Sequence, residues 1–333
     1  MIKPGLVRFV LATLVVLFHI TKFIFIGHLA VFCFFVLSGY WVSLMYETKY
    51  SDTKQPILVF YCSRIFRLLP VYYLVSIFTF LMLFLFDSKS FEILDFSSVS
   101  GISFLIVNFF LLGYNQLIFA PLVPAWSLDI ELQFYFLVPM LLVFMKQRNT
   151  RILFIIISFF LAFVFSFLMP ELFLSKSIFK FLVYFLIGIE IYKSKIEFKP
   201  KIELSFNLLF TGILLVHYLV PDLFAMVKLP NSSYNEFFNI LGSFLLIPLL
   251  ANSVLRKSDS RDIMLGGMSY VLYLSHWMFI IPYNYYIQEL TKIDRIPYTL
   301  AYLFVTFLFS FLVYQYYDLP LDTLRKKWIL NRM

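Results

Sequence analysis

Long apolar stretches broken by short polar segments run the length of this chain. They fall at 6–26, 28–46, 67–86, 99–118, 128–145, 151–169, 177–193, 204–219, 236–253, 264–288 and 297–317. Each approaches the roughly 17–25 residues that carry an α-helix across a bilayer. The runs are continuous, whereas a transmembrane barrel needs alternating segments. The pattern therefore predicts an all-α, polytopic membrane helical bundle. With 44 Phe and 10 Gly, most helix faces are bulky rather than small-residue seams.

The basic residues decide how many runs cross, because Lys and Arg gather in cytoplasmic loops. With the N-terminus cytoplasmic and 99–118 not crossing, inner segments hold 20 of the 27 Lys and Arg, and outer segments hold 7. If 99–118 crosses, every later segment changes side and the split becomes 11 inside and 16 outside. The rule selects ten transmembrane helices, both termini cytoplasmic, and 99–118 as a re-entrant or interfacial helix on the outer side. Two prolines in LIFAPLVPAW (117–126) suit a turn back toward that surface. Irregular backbone at such depth has to be buried in protein or line a cavity.

The first run carries Arg8 and His19 and has no small-residue cleavage site after it, so a retained span is expected, not a signal peptide. No internal repeat, linker or soluble segment is visible, and residues 1–333 are expected to form a single membrane domain.

Composition fits this reading. The chain is 62% hydrophobic and 14% charged, far from the balance of soluble domains. A net charge of +8 would hint at nucleic acid in a soluble protein. Here the basic residues sit in short loops, so the charge reports topology and no nucleic acid is expected. Cys33 lies inside an apolar run and Cys62 just before one, which argues against a structural disulfide. There is no metal-binding motif, no P-loop and no GxSxG, so neither a metal nor a nucleotide triphosphate is expected.

Ionisable residues inside spans are costly and mark function by default. Arg8 and His19 stand eleven residues apart in RFVLATLVVLFH. That spacing puts them on nearly one helix face, roughly 16 Å apart. Arg8 also serves as a positive-inside anchor, whereas a neutral imidazole in lipid needs a partner. Arg64 and Arg67 in RIFRLLP lie side by side at the inner boundary. Lysines would satisfy topology; paired guanidinium forks also suit phosphate oxygens.

WSLDIELQFY (126–135) opens the span after the prolines. Asp129 suits a helix N-terminus and Ser127 a cap. Glu131 points the other way and is the better candidate for the bundle interior. Trp126 and Tyr135 also read as interfacial aromatics. His276 lies about 18 Å along the span that starts near 264, at the depth expected for His19, so the two are expected to share a cavity. Ser38 and Gly39 in FFVLSGYW fit close helix packing. Glu190 and Lys193 read as an i,i+3 pair, and His28 and His217 as interfacial. NSS (231–233) matches a glycosylation sequon.

Taken in order, R-x10-H (8–19), FFVLSGYW, RIFRLLPVYY, WSLDIELQFYFLVP, SYVLYLSH and the terminal YDLP resemble the integral-membrane acyltransferase family 3 over essentially the whole chain. In YDLP the carboxylate is Asp318, where the family more usually has Glu. Some members carry a further hydrolase-like domain, for which these residues leave no room.

The resemblance implies a bacterial inner-membrane O-acyltransferase. It would move an acyl group, most often acetyl, from cytoplasmic acetyl-CoA to a hydroxyl of an extracytoplasmic cell-surface glycan, such as O-antigen or capsule. Its motif residues carry over to His19, Glu131 and His276 as catalytic candidates. Arg8, Arg64 and Arg67 would bind the coenzyme A thioester, and Trp126, Ser38 and Tyr135 would contact substrate. The rival from another class is a polysaccharide transporter or flippase, which predicts repeated halves with broken helices.

Overall fold

The apolar runs are helices in a computed structural model, which describes residues 2–21, 23–93, 99–230 and 232–333. In chain order they are α1 (Pro4–Ile20), α2 (Gly27–Met45), α3 (Pro56–Phe86), α4 (Val99–Phe110), α5 (Trp126–Phe144), α6 (Arg148–Phe163) and α7 (Ile178–Ser194). There follow α8 (Pro200–Leu219), α9 (Pro221–Val227), α10 (Ser233–Leu245), α11 (Ile247–Val254), α12 (Ser260–Ile287), α13 (Arg295–Val313) and α14 (Leu319–Leu330). Among the described residues there is no strand. Asn231 of the sequon and Lys22 of the outer set lie outside the described residues.

The chain is thus an all-helical, multi-pass membrane bundle. Among the described residues, seven helices are long and apolar enough to cross a bilayer, or eight if α10 and α11 form one span bent by 41°. Several elements differ from the apolar runs that predict them. The break between α10 and α11 precedes Pro248, which has no N–H to continue the helix. α1 stops at Ile20, because the backbone turns extended at Thr21. α4 has 12 residues, about 18 Å at the α-helical rise, short of a hydrocarbon core of about 30 Å. α3 starts at Pro56 rather than at 67, which places Arg64 and Arg67 within the helix instead of at its start.

Tertiary contacts divide the chain into two compact units. The first comprises Met1–Lys49 and Leu137–Ser269, the second Tyr50–Phe136 and Tyr270–Met333.

At the heart of the first unit α2 meets α7 at Gly39 and Gly188. A Cβ on Gly39 would collide with the Phe185 carbonyl, and one on Gly188 with the Val36 carbonyl. Each glycine thus lets the backbone of the facing helix approach where any side chain would collide. On α7, Glu190 and Lys193 do not pair with each other. Glu190 binds the buried Arg151 and accepts from Ser194, while Lys193 binds Glu47. A buried Arg151 needs a carboxylate within reach, and this takes precedence over the local i,i+3 arrangement.

The same unit fixes the start of the first helix and the segment beyond its end. Asp262 accepts from the backbone N–H of Gly5 at 3.1 Å and of Leu6 at 2.8 Å. A carboxylate thus meets the orphan donors and positive end of α1. Gly5 is required there, since a Cβ would strike the Asp262 carbonyl. Beyond the other end of α1, Asn235 and Asn239 donate to the Phe25 carbonyl at 3.0 and 3.2 Å. Asn239 Oδ1 accepts from Leu29 N at 2.8 Å. His217 is a packed histidine, buried between the Ile213 carbonyl and the Tyr234 hydroxyl.

In the second unit α4 is tied to α3 by the hydroxyls of Tyr72 and Tyr73, which donate to the carbonyls of Asn108 and Phe109 at 2.8 and 2.6 Å. The chain then turns through Leu111 (φ 65°) and Gly113 (φ 84°). Asp129 holds this turn, accepting from Gly113 N at 3.0 Å, Asn115 N at 2.9 Å and Gln133 Nε2 at 2.8 Å. Asp129 is fully buried and serves the turn rather than the start of its own helix. Ser127 likewise does not cap α5: its hydroxyl donates to the Pro124 carbonyl and lies 2.8 Å from Tyr273 Oη. Cys33 and Cys62 are both free thiols.

Candidate functional site

The residues singled out by the sequence divide between the two units. Arg8, His19 and Ser38 belong to the first; Arg64, Arg67, Trp126, Glu131, Tyr135 and His276 belong to the second.

In the first unit, Arg8 and His19 sit near the two ends of α1, both partly buried. Between them Leu11, Ala12, Val15 and Val16 are buried. At 100° per residue these four positions bracket the direction that Arg8 and His19 share, so both project from the packed side of the helix. Phe18 meets the His19 ring edge-on at 5.0 Å between centres, and a Cβ at Gly27 would press on that same Phe18. Ser38 is partly buried on α2, next to the Gly39 crossing.

The second unit links four elements through one chain of polar side chains. Tyr135 Oη, one turn along α5 from Glu131, donates to Glu131 Oε1 at 2.7 Å. Its donor is then used, and its remaining lone pair faces the charge of Arg64, which carries donors only. Arg64 Nη2 donates to Tyr50 Oη at 2.9 Å. Tyr50 Oη lies 2.7 Å from Ser63 Oγ, and Arg325 Nη1 donates to Ser63 Oγ at 2.8 Å. Arg325 ends the chain on Asp322, its i−3 neighbour.

The two arginines of RIFRLLP are not equivalent. Arg67 Nη1 meets both oxygens of Asp318, at 2.8 and 2.9 Å, and its guanidinium lies over the Tyr270 ring at 5.4 Å. Its charge is already matched. Arg64 is buried, with its guanidinium 5.5–5.7 Å from the ring centres of Tyr50, Phe60 and Tyr135. Among the described residues it forms no ion pair with a carboxylate, and its Nε has no hydrogen-bond partner. A buried guanidinium with unused donors is equipped to receive an anion.

His276 is fully buried on α12, its Nδ1 3.2 Å from the Leu272 carbonyl. Its own carbonyl accepts from Tyr302 Oη at 3.2 Å. Trp126 is partly buried at the start of α5, and Tyr135 is buried within the polar chain. Among the described residues, no three His, Cys, Asp or Glu side chains converge as metal ligands.

The structure therefore joins Arg64, Glu131 and Tyr135 in one network and gives Arg67 and Asp318 to each other. Sequence reasoning missed Tyr50, Ser63 and Arg325. Arg325 is visible in the sequence as one more cytoplasmic cation, and Tyr50 as part of a polar loop. Their role depends on α14 and the segment before α3 being brought together, which no local spacing encodes. The paired hydroxyls of Ser127 and Tyr273 are foreshadowed only by their lying in two of the motifs.

An acyltransferase domain model matches residues 3–315. The O-acetyltransferase OatA of Staphylococcus aureus is 32% identical over 130 residues, covering 37% of this chain and 21% of that protein. The putative peptidoglycan O-acetyltransferase YrhL of Bacillus subtilis is 34% identical over 133 residues, again 37% of this chain and 21% of the relative. The matched stretch thus spans about a fifth of the length of these curated relatives. No solved structure matches the chain.

Proposed function

This chain belongs to the acyltransferase family, and on that premise we propose that it is a membrane O-acetyltransferase. Its donor is cytoplasmic acetyl-CoA and its acceptor a hydroxyl of an extracytoplasmic cell-surface glycan. The observation that carries this reading is the contrast between Arg67, neutralised by Asp318, and Arg64, buried with no carboxylate partner among the described residues. Coenzyme A supplies the anion that such a guanidinium lacks. The relatives named above as O-acetyltransferases support the choice of acetyl, and the name of the B. subtilis relative supports an envelope polysaccharide of the peptidoglycan class.

In this reading ten helices cross the bacterial cytoplasmic membrane, both termini are cytoplasmic, and α4 re-enters from the outer side. The charge count supports that orientation. Arg64 holds donor phosphate at the inner side, with Tyr50, Ser63 and Arg325 positioning it. Arg8 steers the thioester arm toward His19 along the packed face of α1. His19 acts as general base. It takes the proton of the sugar hydroxyl as that oxygen attacks the thioester carbonyl. The carbon–sulfur bond breaks, an oxygen ester forms, and coenzyme A leaves as the thiol once reprotonated. Glu131, Tyr135 and His276 orient the acceptor side, with Ser38 and Trp126 as further substrate contacts.

The test is coenzyme A release from acetyl-CoA by the purified full chain, with and without glycan, together with mass detection of the acetylated sugar. Glycan-dependent release that disappears in His19→Ala is the expected result. A transporter would move glycan without consuming acetyl-CoA.

A further inference from the structure

The second unit holds a cleft of about 710 Å³ at the ends of α3 and α12, a volume within the roughly 300–1,000 Å³ of small-molecule sites. The end of α3, the turn that follows it, the 118–123 break and the last turns of α12 line it. Trp277 and Asn284, seven residues apart and so on one side of α12, face it, and Gln288 does so just past the helix end. Trp277 Nε1 donates to the Pro121 carbonyl at 3.0 Å. The indole's single donor is thereby used and its ring held in place, leaving an apolar surface for a ligand.

Across the cleft, Ser90 Oγ donates to Asp87 Oδ2 at 2.5 Å and fixes that carboxylate. Asn284 and Gln288 are exposed and offer both donors and acceptors. Among the described residues the lining contains no Lys, Arg or His, so it offers no positive charge for a phosphate. Hydroxyls, which both donate and accept, match amides and a carboxylate. A flat ring with apolar C–H faces matches the fixed indole. That combination describes a neutral sugar.

We propose that this cleft binds the glycan acceptor, with Trp277 stacked on a sugar ring and Asn284, Gln288 and Asp87 reading its hydroxyls. The assignment rests on the acetyltransferase reading, in which these helix ends face outward. One helical turn deeper on α12 is Tyr273, whose hydroxyl meets Ser127 at 2.8 Å. Ser127 stands in the first turn of α5, one turn before Glu131. Tyr273 and Ser127 thus stand between Trp277 and Glu131 along the two helices.

The experiment uses the full chain in nanodiscs and a soluble tetramer of β-1,4-linked N-acetylglucosamine as probe. Tryptophan fluorescence is titrated without donor in the wild type, Trp277→Phe, and an Asn284→Ala/Gln288→Ala double variant. The KM for the tetramer is measured separately with acetyl-CoA. Saturable quenching by the tetramer that is lost in Trp277→Phe is expected. In the double variant the tetramer should bind about tenfold more weakly, equivalent to roughly 1.4 kcal/mol, and its KM should rise in step, with no change in the KM for acetyl-CoA. Both altered side chains are exposed, so folding of the double variant is expected.

Quenching and KM that are the same in all variants would overturn the assignment, as would quenching by phosphatidylglycerol and none by the tetramer. Tetramer binding through Trp277 without any acetyl transfer would uphold the cleft and reject the acetyltransferase reading.

Discussion

Asp318, in a π-helical turn at the end of α13, places both carboxylate oxygens on one nitrogen of Arg67, at 2.8 and 2.9 Å. The pair ties the final helix to α3 and gives Arg67, which the sequence offers as a ligand-binding group, a counter-charge of its own. Asp318→Asn leaves Arg67 without its counter-charge. Breaking a buried pair in this way costs about 3–5 kcal/mol; Arg67 keeps 21% side-chain exposure, so the lower end is expected. Asp318→Glu keeps the charge and should recover most of the loss. Thermal unfolding of both variants in one detergent checks this.

Arg64 and Arg67 should therefore respond differently in kinetics. Arg64→Ala is expected to raise the KM for acetyl-CoA with a smaller effect on kcat, the pattern of lost donor binding. Arg64→Lys should not restore it, because an ammonium cannot span Tyr50 and Tyr135 and still offer a fork to phosphate. Arg67→Lys, facing a single carboxylate, should retain most of the wild-type KM. Equal effects of the two lysine substitutions would remove the distinction.

Tyr135→Phe keeps the ring and deletes the hydroxyl that joins Glu131 to Arg64. Tyr50→Phe cuts the same chain on the far side of Arg64. If the chain acts as one unit, the two changes are non-additive, with a coupling of about 0.5–3 kcal/mol in a double-mutant cycle on kcat/KM. Strict additivity would mean that the hydroxyls act separately.

The turn after α4 makes a separate claim about stability. Asp129→Ala removes the acceptor from two part-buried backbone donors and should cost about 1–3 kcal/mol. Gly113→Ala forces a Cβ onto a residue at φ 84°, a cost of about 1–3 kcal/mol. Its surroundings are otherwise open, so that loss arises from the backbone alone. Unfolding monitored by a thiol probe at Cys62 measures both.

What the sequence made legible was the class of the fold and the identity of the motif residues. Apolar runs long enough to cross a bilayer leave little freedom in secondary structure, and an arginine or histidine inside one is conspicuous. The partners of those residues were not legible. Glu190 took Arg151 over the nearby Lys193, because a buried guanidinium outbids a local pair. Asp129 took the Gly113 turn over its own helix end, because three donors converge on it there. Tyr50, Ser63 and Arg325 carry no signature that distinguishes them from loop and anchor residues. Trp277 stood beside His276 in LSHW, yet only the carbonyl of Pro121 shows that its ring is fixed.

Asp262 holds the start of α1 and the Asn235–Asn239 pair holds Phe25 beyond its end, and His19 lies between these two anchor points. The account turns on that imidazole accepting the proton of the sugar hydroxyl. The direct measurement is glycan-dependent coenzyme A release from acetyl-CoA by wild-type chain and by His19→Ala, matched for folded content by thermal unfolding. The account predicts a loss of about 10²-fold or more in kcat, the scale of general-base catalysis, with the KM for acetyl-CoA little changed. A folded His19→Ala chain that acetylates glycan at the wild-type rate would contradict it.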